Sequence, residues 1–198
     1  MIWQFSNNGQ YIVKSGYHYQ RSLESGMEGE ASRRHSDKDV WKRLWKMKVA
    51  LALKFFVWRA CSEALPTCAS LKMRKVMEDP LCPICRIEPE TSGHALWGCS
   101  AARDVWSQGC IKVQNMSYQN DLFFNVWMSL VQQLDQNELE EVAVTLKGIW
   151  TRRNEFLHGK GFRHPTNISQ TARNKVFSFH EANQSHQPNL MQRTQKEL

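Results

Sequence analysis

Cys82, Cys85, His94 and Cys99 stand in the order C-x2-C-x8-H-x4-C, four soft or borderline ligands within eighteen residues. Zn²⁺ takes four such ligands in a tetrahedron, and a Cys-x2-Cys turn aims two sulfurs at one point. A helix or tight turn carrying His and Cys five positions apart supplies the other pair. Three thiolates and one imidazole leave no open coordination position, so the pattern predicts one structural zinc ion, not a catalytic one. The bland alternative is that free Cys is a small buried hydrophobe and a lone His a satisfied core residue. Cys61, Cys68 and Cys110, which lack partner spacing, fit that description. For the cluster, spacing and ligand type agree on metal.

The elements that must position these ligands read as mainly helical. Trp3-Gln-Phe5 and Tyr11-Ile-Val13 flank Asn7-Asn8-Gly9, a turn signal that predicts a short β-hairpin within an N-terminal segment, 1–21. Residues 22–38 are rich in Ser, Gly and charge and read as a flexible linker. Asp39 is placed to cap a helix bearing Trp41, Leu44 and Trp45. A nearly all-apolar helix over about 50–64 is stopped by Pro66, and Thr67 can cap the next, from Cys68 to Met77. A helix from Ser100 to Trp106 follows the ligands. The resulting small helical domain, 39–108, is stapled by zinc. Two longer amphipathic helices follow, one with Phe123, Trp127 and Leu130, the other with Leu139, Val142, Leu146 and Ile149. With a last helix opened by Pro165, they form a C-terminal helical region, 109–180. The polar tail, 181–198, is expected to fray.

Charge is concentrated. Between Val40 and Lys75, nine cations face the single carboxylate Glu63, so this stretch carries +8 of a total of +7. Residues 76–106 are acidic, with five carboxylates against Arg86 and Arg103. If the chain grips a phosphate backbone, Lys42, Lys46, Lys48, Arg59, Lys72, Arg74 and Lys75 do so, and the zinc loop does not. For Lys72, Arg74 and Lys75, compensation of a helix dipole is an equal alternative.

Other chemistry finds no residues. There is no Gly-rich phosphate loop and no His-Glu-x-x-His helix. Cys61 sits in the most apolar helix, where burial makes a thiol inert. The longest apolar run, 49–58, is broken by Lys54 and is too short to span a bilayer, so no membrane partner is expected. No apolar leader is expected from the polar residues that follow Phe5. An intracellular location is expected, nuclear or cytoplasmic and not secreted, where thiols stay reduced.

Several motifs in fixed order carry a family resemblance: Gly9-Gln-Tyr-Ile-Val-Lys14-Ser-Gly-Tyr17, Trp41-x3-Trp45-Lys46, Lys54-Phe-Phe-Val-Trp58-Arg59-Ala60, Leu65-Pro66-Thr67, the four ligands, Glu90-Thr91 and Val105-Trp106. Together they resemble the plant reverse-transcriptase zinc-binding domain of LINE-type (non-LTR) retrotransposon polyproteins. Ile149-Trp150-Thr-Arg-Arg153-Asn154-Glu155 is similar to the segment that follows it there, before a ribonuclease H-like domain. The resemblance implies zinc ligation by Cys82, Cys85, His94 and Cys99 and a role in holding RNA or DNA nonspecifically. Polymerase or other retroelement domains would be further partners. The chain has no Asp-Asp pair of the polymerase type and no Asp-Gly opening a ribonuclease H strand. It lacks the carboxylates that would converge on two Mg²⁺ ions. A non-catalytic module is therefore expected, with a protein-interaction or architectural module, or an inert retroelement fragment, as the alternative.

Overall fold

The computed structural model describes residues 30–116 and 122–186. The chain divides into two compact units, residues 1–41 and 42–198. Helix α1 (Glu30–Lys46) begins in the first unit and ends in the second. It starts nine residues before the expected cap at Asp39, inside the segment read as a linker. Glu, Ala, Arg and Lys are good helix formers, which is why the helix extends through this segment. The predicted hairpin lies outside the described residues.

The second unit is built on long helices packed side by side. Helix α2 (Leu51–Cys61) buries Leu53, Phe56, Val57 and Ala60. After α3 (Cys68–Met73) come the ligand loop, α4 (Ser100–Trp106) and the short α5 (Ile111–Gln114). Helix α6 (Phe123–Gln133) buries Phe123, Val126, Trp127 and Leu130 against α2. Helix α7 (Gln136–Leu157) contributes Leu139, Val142, Ala143, Leu146 and Ile149. Its start is fixed by a reciprocal cap: the Glu138 amide donates to Asp135 Oδ1 at 2.9 Å, and the Asp135 amide donates to Glu138 Oε2 at 2.8 Å. Helix α8 (Pro165–His186) opens at Pro165, as expected, and runs past the predicted end at His180. It lies against α7 so closely that a Cβ on Gly148 would stand 2.6 Å from Ile168 Cγ2.

Within the second unit, two polar anchors hold the last turn of α1 and the turn after it against this bundle. The Arg43 guanidinium donates to the carbonyls of Val131 and, at 2.9 Å, Leu134, satisfying the C-terminal end of α6. Buried Glu140 accepts the Lys48 amide at 2.5 Å and lies 2.6 Å from His180 Nε2.

Two expected helix ends are corrected. Helix α2 stops at Cys61, where Glu63 takes a positive φ of 48°. Helix α3 stops at Met73, so only Lys72 is helical. Arg74 is its C-cap, and Lys75 turns the chain with φ 58°. Thr67 caps α3 as expected, accepting the Ser70 amide at 3.3 Å.

Candidate metal centre

Two local devices bring the four ligands together. The first is a reversal over 81–89. Leu81 and Pro89 pair as an isolated antiparallel bridge, and the Cys82 amide donates to the Glu88 carbonyl at 2.8 Å. The Arg86 amide returns to the Cys82 carbonyl at 2.9 Å, with Arg86 itself at φ 57°. Cys82 and Cys85 are thereby held on one tight turn.

The second device is a π-helical turn, His94–Gly98. On an ordinary α-helix, residues five apart point about 140° away from each other. Here the Cys99 amide donates to the His94 carbonyl at 2.8 Å, an i→i+5 bond that widens the turn and returns Cys99 beside His94. Thr91 Oγ1 accepts the His94 amide at 3.0 Å and fixes the entry. From α4, Trp106 donates its indole N–H to the Leu96 carbonyl at 2.9 Å and packs on Trp97 with ring centres 4.6 Å apart.

The ligand atoms of Cys82, Cys85, His94 and Cys99 all lie within 4.8 Å of one another. Cys82 Sγ is 3.8 Å from Cys99 Sγ, and Cys85 Sγ is 3.3 Å from His94 Nε2. Zn–S bonds of about 2.3 Å in a tetrahedron place two sulfurs about 3.8 Å apart. The cluster could therefore hold one zinc ion with small side-chain adjustments. His94 Nδ1 lies 3.1 Å from Glu88 Oε2, which leaves Nε2 for the metal. A carboxylate behind a ligating imidazole fixes its tautomer and raises its basicity.

The hydrogen bond with Cys99, then burial, pushes the Cys82 thiol up to about 12, and the same bond lowers that of Cys99. For His94, burial works against the charged ring, but hydrogen bonds to Cys82 and Cys85 raise it to about 9.

A buried ion pair locks this loop to the bundle. Glu90, fully buried, receives Arg153 Nε at 2.7 Å on Oε1 and Arg153 Nη2 on Oε2. Its Oε2 also accepts the Cys68 amide at 2.8 Å, satisfying a free N–H at the start of α3. Next to it, buried Arg152 donates to the Ala101 carbonyl at 2.9 Å and lies over the Phe162 ring, 3.6 Å from its centre. Burial lowers the Arg152 pKa, while the charges of Asp104 and Cys99 oppose that shift. Glu63 adds a third anchor, accepting the amides of Ser92 and Phe123, each at 3.2 Å.

The seven predicted cations are all exposed. Lys42 and Lys46 lie on α1, Lys48 in the following turn, Arg59 on α2, and Lys72, Arg74 and Lys75 at and beyond the end of α3. Arg59 also donates to the Ala64 carbonyl at 2.9 Å. Reading the sequence for ligands passed over Glu88 as a ligand's support, and Glu90 and Arg153 as a pair. A carboxylate between two ligand pairs and an Arg-Arg pair in an amphipathic helix were the available signals. Among the described residues, no helix is long and apolar enough to cross a membrane.

Comparison with known proteins agrees with this centre. Residues 11–106, which contain all four clustered ligands, match the family described as zinc-binding in reverse transcriptase. A stretch of 106 residues is 28% identical to an Arabidopsis thaliana protein named "Putative ribonuclease H protein", covering 54% of this chain and 16% of that relative. The chain thus corresponds to a small part of the relative's length. No solved structure matches.

Proposed function

We propose, from the match of residues 11–106 to the family described as zinc-binding in reverse transcriptase, that the chain is a non-catalytic, zinc-stapled module of a retroelement-type protein that holds RNA or DNA by its backbone. Cys82, Cys85, His94 and Cys99 are the ligands of one structural zinc ion. Bound there, the metal supplies a four-way cross-link. The residues around it do the rest: Glu88 orients His94, and Glu90 with Arg153 ties the loop to α7. In this reading 39–108 is the zinc module and 109–180 the helical region that buttresses it. The protein acts inside the cell, where thiols stay reduced.

The observation that carries nucleic-acid binding is the one-sidedness of charge between Val40 and Lys75. Its seven predicted contact cations are exposed, while Glu63, its only carboxylate, is turned onto two backbone amides. A phosphate backbone would meet these exposed cations with no carboxylate of the same stretch turned toward it. The test is fluorescence anisotropy of zinc-loaded protein against labelled single-stranded RNA at two salt concentrations. Binding at low salt that falls steeply at high salt is expected, with log K dropping by about 0.7 per phosphate neutralised on a single strand. No binding at low salt refutes the reading.

One observation favours docking to another protein domain instead. Leu53, Val144, Ile168, Ala172, Val176 and Phe179 line a groove of about 470 Å³ between α2, α7 and α8. A partner held there would bind with little loss at high salt, which separates the two readings.

A further inference from the structure

Helix α2 presents two opposite apolar faces. Leu53, Phe56, Val57 and Ala60 point into the core. Leu51, Phe55 and Trp58 point outward, exposed by 61%, 47% and 42%. At about 100° per residue these three fall within roughly 60° of arc, directly opposite the buried set. Trp45, at the end of α1 and 40% exposed, extends the stripe by meeting Phe55 edge to face, with ring centres 5.4 Å apart. Surfaces seldom keep contiguous apolar patches without a partner.

The flanks of this stripe indicate its partner. Lys54 lies on one side of it along α2 and Arg59 on the other; Lys42, Lys46 and Lys48 surround Trp45 in sequence. Helix α2 contains no carboxylate. A protein surface of ordinary composition would meet this row of like charges without a matching row of its own. A polyanion with flat apolar faces satisfies both features at once.

Resting on the nucleic-acid reading above, we propose that the α1–α2 face is a platform for single strands, with unpaired bases stacked on Trp45, Phe55 and Trp58 and phosphates held by the flanking cations. Stacking on aromatic rings between cations is sequence-tolerant, because every base has a π-face. It requires bases free of a duplex, so the face favours single strands. Lys54 positions the platform, donating its ammonium to the Trp45 carbonyl at 2.8 Å and joining the two helices.

The test uses the full zinc-loaded chain, a labelled oligouridylate and a labelled RNA duplex, with Kd measured by anisotropy at several salt concentrations. The variant Phe55→Leu/Trp58→Leu removes both rings, keeps the surface apolar and leaves every charge. It is expected to bind the oligouridylate at least about ten-fold more weakly, a loss within the range for removing stacked bases. Its salt slope and duplex affinity should match the parent's, as should its helicity and zinc content. A double variant that binds oligouridylate like the parent, or loses duplex binding equally, overturns the platform while leaving backbone binding intact. A parent chain that binds neither RNA overturns both readings. If the parent self-associates and the variant does not, the stripe is a protein interface and the platform is refuted.

Discussion

Removing the Arg153 side chain while keeping its bulk, as in Arg153→Met, should be among the most damaging single changes in this protein. Glu90 has no exposed surface and Arg153 has 5%, so solvent screening, which makes surface pairs worth little, does not act here. The change deletes both Arg153 donors to Glu90 and leaves its carboxylate with only the amide and thiol of Cys68. Breaking a buried pair by removing one partner costs about 3–5 kcal/mol. For a chain of this size that corresponds to a fall in Tm of roughly 6–20 °C. The reciprocal change Glu90→Leu should cost a similar amount, since it strands a buried guanidinium. The double variant Glu90→Leu/Arg153→Met should recover most of the loss, because two apolar groups replace the pair and neither of its charges is left buried alone. Denaturant unfolding of all four proteins in saturating zinc measures the cycle. If Arg153→Met costs under about 1 kcal/mol, or the double variant loses the sum of the singles, the ion pair does not fasten the ligand loop to α7.

Five further outcomes are expected. His94→Ala or Cys85→Ser should abolish stoichiometric zinc and the cooperativity of melting seen by circular dichroism, because such sites contribute on the order of 10 kcal/mol. Glu88→Gln should keep the metal but weaken it about 10–100-fold in a chelator competition. Gly148→Ala forces its new methyl against Ile168 and should cost about 1–3 kcal/mol, part of which Ile168→Ala in the same chain restores. The Cys68 thiol, raised to about 11 chiefly by burial and then by its hydrogen bond to Glu90, holds its proton more tightly when folded than at the ordinary 9.0. Its contribution is complete below pH 9 and is lost as pH rises toward 11, so the midpoint of unfolding should fall across that window. At pH 8, iodoacetamide should modify exposed Cys110 and spare Cys61 and Cys68 in the zinc-loaded protein.

Local spacing carries local structure, and much of this site is local. The four ligands, the Thr67 cap, the Pro165 start and the apolar periodicity of α6 and α7 depend on neighbours a few residues away, so the sequence alone determined them. The same holds for the clustering of cations between Val40 and Lys75. Helix ends were less legible. Whether α3 stops at Met73 or runs to Met77 turns on one residue, Lys75, adopting a left-handed conformation that its side chain does not signal. The exposed stripe of Leu51, Phe55 and Trp58 was hidden because α2 is apolar all round. Only packing shows which apolar face meets the core. Tertiary structure also decided that Glu90 and Arg153, 63 positions apart, would share a dry pocket. A charge can be buried only where its partner is brought to meet it, and that meeting depends on how α7 lies across the ligand loop. The sequence named the candidate ligands; the packing of distant helices chose the carboxylates and the arginine around them.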